Sequence, residues 1–178
     1  VHASQWPFAG TGIDRPLMAE DGFLAKHAFP TEGMCGDEAI AKEWYGSFLQ
    51  ELVKQGTTTA MCYASQHESG CNVLVDSALE QRGPRLFVGK VNMDRLSPDS
   101  ELTKASLEET ERFVLRTRSL NKSFSRDDGS SCSPPPMVEP VVTPRFLPTC
   151  TKDLLKGLGD ICVKYDVMMQ THISETID

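Results

Sequence analysis

The stretch from 57 to 93 decides the fold, and it reads TTTAMCYASQHESGCNVLVDSALEQRGPRLFVGKVNM. Residues 57–63 and 86–93 are rich in β-branched and aromatic side chains and largely uncharged, which is typical of strands buried on both faces. Residues 72–81 between them predict a helix, which the Arg-Gly-Pro sequence at 82–84 ends. Two buried strands joined through a helix pair in parallel by a right-handed crossover. The stretch therefore predicts an α/β fold built on a parallel sheet.

The same alternation of strands and helices extends on both sides of this stretch. Three further helices and two further strands are predicted, over 37–55, 100–120 and 151–165 and over 138–146 and 167–172 respectively. Two architectures fit this order: an open doubly wound sheet or a (β/α)₈ barrel. No glycine-rich phosphate loop follows any strand, so the sequence does not support a nucleotide-binding version of either.

One segment breaks the alternation. Residues 119–137 contain Ser-Arg-Asp-Asp-Gly-Ser-Ser-Cys-Ser-Pro-Pro-Pro, a composition that cannot bury a core face. The alternation resumes after this segment with the same character. We therefore predict a Ser/Pro-rich surface insertion within one domain that spans residues 1–178, with a linker between two domains as the alternative.

Composition and charge exclude several classes of protein. The 178 residues carry 18 Lys and Arg against 25 Asp and Glu, for a net charge of −7, and 39% are hydrophobic. These values are typical of a globular chain and not of a collagen-like or disordered one. No stretch approaches the roughly 20 apolar residues that span a bilayer, and no stripe of Lys and Arg suits a phosphate backbone. We therefore expect neither a membrane nor a nucleic acid as a partner.

The cysteines bear on the compartment. None of the six lies in a Cys-x-x-Cys pair, so a zinc ribbon or a thioredoxin-type site has no support. We expect buried free thiols and, without a signal-peptide pattern in this stretch, a cytosolic protein. The chain begins with Val1 instead of Met, and we expect it to be part of a longer protein, in which a targeting segment could precede it.

A histidine and a carboxylate at the end of the last predicted strand are the first candidates for chemistry. His172 closes an apolar run, and the carboxyl ends of parallel strands face the active site in α/β folds. A neutral imidazole there can bind zinc, and Glu175 follows at a distance that suits proton transfer from a water molecule. The alternative is a loop histidine beside a solvated glutamate.

Four motifs, taken in their order along the chain, distinguish one family of proteins from others. They are Val-His-Ala-Ser-Gln at 1–5, Gly-Thr-Thr-Thr-Ala at 56–60, Val-Thr-Pro-Arg-Phe at 142–146 and Gln-Thr-His-Ile-Ser-Glu at 170–175. This ordered set resembles the guanine deaminases, a family of zinc-dependent enzymes in the amidohydrolase superfamily. The resemblance covers nearly the whole chain apart from the insertion.

The resemblance implies a (β/α)₈ TIM barrel of the amidohydrolase type, of which only about the first five β/α units are present. It implies the hydrolytic deamination of guanine to xanthine and ammonia, a bound Zn²⁺ and a homodimer. His2 and His172 match zinc ligands, and Glu175 matches the catalytic carboxylate that moves the proton. The substrate-binding residues that it implies are His2, Ala3, Ser4, Gln5, Arg145, Phe146, His172 and Glu175.

Within that set, the resemblance gives distinct roles to the purine contacts. Gln5 and Arg145 match residues that hydrogen-bond the purine, and Phe146 matches one that packs against its ring. His2 matches the second member of a His-x-His pair, whose first member would lie before this chain begins. The family's later histidine and aspartate ligands have no counterpart in this sequence. We therefore expect the 178-residue segment alone to be inactive, because catalytic zinc usually has three protein ligands.

Two alternatives stay open at this point. Another amidohydrolase that deaminates a different heterocyclic amine would keep His2, His172 and Glu175 and reassign the purine contacts. A non-catalytic interaction module would use the Ser/Pro-rich insertion for docking. The remaining histidines, His27 and His67, are not assigned to the site.

Overall fold

All strands run parallel and follow the order of the sequence across the sheet. The computed structural model describes residues 1–96, 102–124 and 136–176. Its strands are β1 (Thr59–Tyr63), β2 (Arg85–Gly89), β3 (Val91–Asn92), β4 (Val138–Pro140) and β5 (Thr143–Pro144). Strand β2 lies between β1 and β4, and β3 pairs with β5. Thus β2 and β3 form one interrupted strand beside another made of β4 and β5.

Single parallel bridges extend this sheet at both ends. His2 pairs with Tyr63 at the end of β1, and Phe146 pairs with His172 beyond β5. The sheet therefore has five parallel segments in sequence order, which are residues 1–2, β1, β2 with β3, β4 with β5, and residues 168–172. A doubly wound sheet reverses its strand order at a switch point, and the described strands show no such reversal. The described strands therefore form a parallel α/β sheet in sequence order that does not close into a barrel.

The helices connect successive strands, as predicted. The α-helices are α1 (Phe29–Met34), α2 (Glu38–Lys54), α3 (Glu68–Gln81), α4 (Thr103–Phe124) and α5 (Lys152–Tyr165). Two 3₁₀ helices (Ala3–Phe8 and Leu147–Thr149) and a π-helical turn (Leu24–Ala28) complete the set. Asp37 caps α2 by accepting from the backbone N–H of Ala39 at 2.8 Å, and Thr151 caps α5. The helices predicted over 37–55 and 151–165 are thereby confirmed.

Two predicted helix boundaries are wrong, each because of tertiary packing. Helix α3 starts at Glu68 instead of residue 72, and it includes Gly70, where a Cβ would lie 2.2 Å from the Cys35 carbonyl oxygen. Helix α4 continues to Phe124, inside the stretch predicted as an insertion, because Leu120 still packs against the core. The rest of the predicted insertion, residues 125–135, lies outside the described residues.

The predicted strands are shorter and more interrupted than expected. The strand predicted over 86–93 is broken at Lys90, and the last predicted strand, over 167–172, pairs only through single bridges. The break follows Gly89, where a Cβ would lie 1.7 Å from Oγ1 of Thr143. Only glycine allows the two strands to approach this closely, so the pairing changes from β2–β4 to β3–β5 at that point.

Two apolar clusters position the ends of the strands. The larger one lies between the sheet and helices α2 and α3, and it includes Leu49, Leu74 and Val88. The smaller one gathers Tyr63, Met93 and Phe146 with residues of α1 and of the π-helical turn at the carboxyl end of the sheet. The candidate site packs against this second cluster.

The described cysteines are free thiols. Cys35, Cys62, Cys71 and Cys150 are buried and Cys162 is half-buried, whereas Cys132 lies outside the described residues. Burial raises the pKa of the Cys62 thiol to about 12, which keeps it protonated and unreactive. Among the described residues, no helix combines the length and the apolar character needed to cross a membrane.

Candidate active site

Two histidines from the outermost segments of the sheet meet at its carboxyl end. The Nε2 atoms of His2 and His172 lie 3.2 Å apart, although the residues are separated by 170 positions in the sequence. Their rings are almost parallel, with an interplanar angle of 10°. Because each histidine belongs to an outer segment, the sheet must curl until its first and last segments face each other. The structure thus brings together the two predicted zinc ligands.

A backbone carbonyl fixes the tautomer of His172. Its Nδ1 lies 2.8 Å from the carbonyl oxygen of Arg145. A carbonyl oxygen can only accept, so Nδ1 carries the proton and Nε2 keeps its lone pair. Metal-binding histidines are commonly oriented in this way, by a hydrogen bond from the second ring nitrogen.

His2 is held in the neutral form. Burial lowers the pKa of the His2 imidazole well below its usual value, and the nearby positive charges of Arg145 and His172 lower it further. A neutral imidazole is the form that binds a metal ion. His2 therefore offers an uncharged nitrogen to the space between the two rings.

The pair fits a zinc site in donor type and in separation. Zn–N bonds of 2.0–2.1 Å at a tetrahedral angle place two nitrogens about 3.3 Å apart, and the observed separation is 3.2 Å. Within the part of the chain that the structure describes, no third His, Cys, Asp or Glu joins the two to form a cluster. The described residues thus offer two imidazole nitrogens, whereas a catalytic zinc usually has three protein ligands.

Tyr63 packs against both histidines. Its ring centre lies 4.5 Å from that of His2 and 4.3 Å from that of His172. Burial, together with the negative charge of Glu175, raises the pKa of the Tyr63 hydroxyl to about 12, so the phenol stays protonated. Tyr63 is not among the site residues predicted from the sequence, although its place at the end of β1 is a signal that could have identified it.

Arg145 lies under the site in a buried ion pair. Its Nη1 is 2.6 Å from Oε2 of Glu32, and the two side chains are 2% and 1% exposed. The guanidinium carbon lies 5.1 Å from the ring centre of Phe29. Glu32 and Phe29 belong to α1, which the sequence analysis did not predict. Pro30 in the first turn of α1 is the signal that could have identified this helix.

Phe146 and Glu175 line a small cleft beside His172. The cleft has a volume of about 220 Å³, and its apolar wall includes Leu147 and Met18. Phe146 is mostly buried and also belongs to the cluster beneath the site, whereas Glu175 is exposed. An apolar wall with a carboxylate at its edge suits a planar heterocycle that exchanges protons.

The remaining candidates lie in the 3₁₀ helix that follows His2. Gln5 is half-buried, and its backbone N–H donates to the His2 carbonyl at 3.1 Å. Ala3 and Ser4 have no exposed surface, so neither offers surface to a substrate in this structure. His27, which was not assigned to the site, packs against Phe8 and Phe23.

The fold and the paired histidines define a class of protein. A parallel α/β sheet with histidines at the carboxyl ends of its outer segments is the arrangement expected of a metal-dependent hydrolase. The sequence pattern of the Amidohydrolase family matches residues 19–178, and the chain belongs to this family.

Within that family, the chain is similar to guanine deaminases, as the ordered motifs indicated. It is 37% identical over 180 residues to guanine deaminase of Dictyostelium discoideum and 39% identical over 181 residues to that of Homo sapiens. Both comparisons cover 100% of this chain and 36% of the relative, so the chain spans little more than a third of these proteins.

A solved structure gives the same result. The guanine deaminase from C. acetobutylicum, solved with guanine bound in its active site, is 34% identical and superposes with a TM-score of 0.83. That comparison covers 100% of this chain and 39% of the other.

Proposed function

We propose that this chain forms part of a zinc-dependent guanine deaminase that hydrolyses guanine to xanthine and ammonia. One observation carries the proposal: the Nε2 atoms of His2 and His172 meet 3.2 Å apart at the carboxyl end of a parallel sheet. The similarity to guanine deaminases along the whole chain supports guanine as the substrate over other heterocyclic amines.

The same proposal includes a complete barrel. The last parallel segment carries Met168 and Met169, which are 51% and 43% exposed. An exposed apolar edge of this kind is normally covered by another strand. We infer that later strands of a (β/α)₈ domain cover it and supply the further metal ligands, with the part of residues 119–137 that follows α4 as an insertion at the surface.

Each of the described site residues has its own role in the proposed reaction. His2 and His172 would hold the metal, and bound zinc supplies an activated water at neutral pH. The carboxylate of Glu175 would carry a proton from water to the exocyclic nitrogen of guanine, so that a C–O bond from the water replaces the C–N bond and the nitrogen leaves as ammonia. Phe146 packs against the purine ring, and Tyr63 keeps the imidazole rings in place. The guanidinium of Arg145 donates to acceptors on the purine.

A substrate panel tests this function. The full-length protein loaded with zinc is given guanine, adenine and cytosine, and the release of ammonia is measured with the formation of xanthine. We expect turnover of guanine and its loss, together with loss of zinc, in H172A. Ammonia release from adenine or cytosine with none from guanine would refute the proposal.

We also propose a cytosolic homodimer. The free thiols of the described cysteines agree with a reducing compartment, and the dimer rests on the resemblance to the family. Cell fractionation and analytical ultracentrifugation of the full-length protein test the two statements separately.

A further inference from the structure

A buried carboxylate under the site holds the side chain of Arg145. Oε2 of Glu32 lies 2.6 Å from Nη1 of Arg145, and the Phe29 ring centre lies 5.1 Å from the guanidinium carbon. Phe29 and Glu32 are three residues apart in α1, so both project from one face of that helix. Helix α1 therefore holds the guanidinium by two contacts of different chemistry, an ion pair and a ring face.

Stability alone does not explain this pair. The cost of removing two charges from water offsets most of their attraction, so apolar residues of similar volume often stabilise a core equally well. Here the pair lies beside an apolar cluster that contains Phe29 and Phe146. Moreover, Oε1 of Glu32 is buried and has no hydrogen-bond partner among the described residues. The retained charge thus points to a role in orienting Arg145.

Arg145 is well placed to pass this constraint on to the site. Its carbonyl oxygen accepts from Nδ1 of His172 at 2.8 Å, so its backbone is fixed next to the pair formed by His2 and His172. A guanidinium presents its donors in a rigid planar fork. When Glu32 fixes Nη1, it also fixes the direction of the remaining donors, Nε and Nη2.

We propose that Glu32 is a positioning residue that orients the Arg145 guanidinium for the purine. The proposal rests on the proposed function, in which Arg145 donates to the substrate. An orientation that exists before binding lowers the entropy cost of ordering the side chain at the moment of binding. Glu32 therefore acts on substrate affinity through Arg145, and it leaves the zinc ligands and the proton transfer unchanged.

The test compares E32Q with a matched Glu→Gln variant in the full-length, zinc-loaded protein. E68Q is the control, because Glu68 forms an ion pair with Arg112 at 2.7 Å on the outer side of the fold. KM and kcat are measured on the heterocyclic amine that the wild type hydrolyses fastest among guanine, adenine and cytosine. We expect E32Q to raise KM by about 10- to 100-fold with a smaller change in kcat, with zinc content unchanged and with partial recovery in E32D. E68Q should leave all three quantities unchanged.

A double-mutant cycle separates positioning from a general structural effect. If Glu32 acts through Arg145, adding E32Q to R145Q should change KM by no more than about twofold. Effects at independent sites are additive only to within about twofold, so a change of that size counts as no further effect. The inference is overturned if the KM of E32Q equals that of E68Q, or if the effects of E32Q and R145Q multiply. Turnover of adenine or cytosine instead of guanine would refute the proposed function, and the cycle on that substrate would still decide the role of Glu32.

Discussion

Replacing Asp94 with alanine should destabilise the fold and leave the chemistry intact, although this carboxylate follows a strand at the end where catalytic groups lie. Oδ1 of Asp94 accepts from the backbone N–H of Thr151 at 2.8 Å. Oδ2 accepts from the hydroxyl groups of Thr103 at 2.7 Å and of Thr151. Asp94 thereby ties the first turn of α4 and the N-cap of α5 to the end of β3. With both oxygens engaged, it is built as a structural acceptor.

The magnitude follows from these three bonds. Hydrogen bonds to a charged group contribute about 1.5–3 kcal/mol each when buried, and the lower end applies here because Asp94 is only half-buried. Water would replace part of the loss, so we expect D94A to cost about 2–3 kcal/mol. D37A is the control, since Asp37 accepts only within the first turn of α2 and a single N-cap is worth about 1 kcal/mol.

The assay is thermal unfolding, with zinc content and turnover measured on the same samples. For a cooperative unit of about 150–250 residues, the loss in D94A corresponds to a fall in Tm of about 4–12 °C, and the fall is smaller in a longer cooperative unit. A fall in D94A no larger than that in D37A would refute the structural role. So would a D94N variant that keeps its Tm and loses turnover, because Asp94 would then belong to the chemistry.

The pH dependence of Asp94 gives a second check. Desolvation raises its pKa, but hydrogen bonds from Thr151 and Thr103 outweigh this effect and hold the pKa below its usual value. Because the folded state has the lower pKa, the stabilisation is complete above the unfolded value of about 3.9 and is lost as the pH falls through the folded value. The difference in Tm between wild type and D94N should therefore shrink below about pH 4.

Three further predictions concern catalysis, packing and completeness. E175Q should lower kcat by about 10²–10⁴-fold with zinc retained, whereas E108Q on the exposed face of α4 should have no effect; equal rates would remove Glu175 from the mechanism. G159A should stabilise α5 by about 0.5–1 kcal/mol, because a Cβ there meets nothing within 4 Å. G157A should instead lower Tm, because its Cβ would lie 2.5 Å from Leu107. Residues 1–178 alone should form no xanthine from guanine, and measurable xanthine would contradict the need for further ligands.

The sequence predicted those features that depend on local pattern. Helices α2 and α5 were found because their apolar spacing and their caps, Asp37 and Thr151, are written in consecutive residues. His172 was found because it ends an apolar run, and strand ends converge in every parallel α/β fold. His2 and Arg145 depended on motif order, since a terminal histidine and a single arginine have no local signature.

The missed features depend on contacts between distant parts of the chain. Glu32 and Arg145 are 113 positions apart, and no periodicity connects them. Tyr63 contacts both histidines only because residues 1–2 and 168–172 lie on the same side of the curled sheet. The end of α4 was misplaced for a related reason: the polar composition after Leu120 favours a loop, but Leu120 packs against the core and the helix continues to Phe124.

The distance between the Nε2 atoms of the two histidines depends on the order and curvature of all the strands in the sheet. His2 is fixed to β1 by its bridge to Tyr63, and His172 is fixed to the strand that ends in β5 by its bridge to Phe146. Between these two points lie only parallel strand pairs, each of which adds its own twist. A change in register or curvature at any pair would move the Nε2 atoms apart, because Tyr63 is the only ring among the described residues that packs against both histidines. The position of the histidine pair is therefore set by the order and curl of the strands. Residues such as Gly89, which lets two strands approach, contribute to it without contacting either histidine.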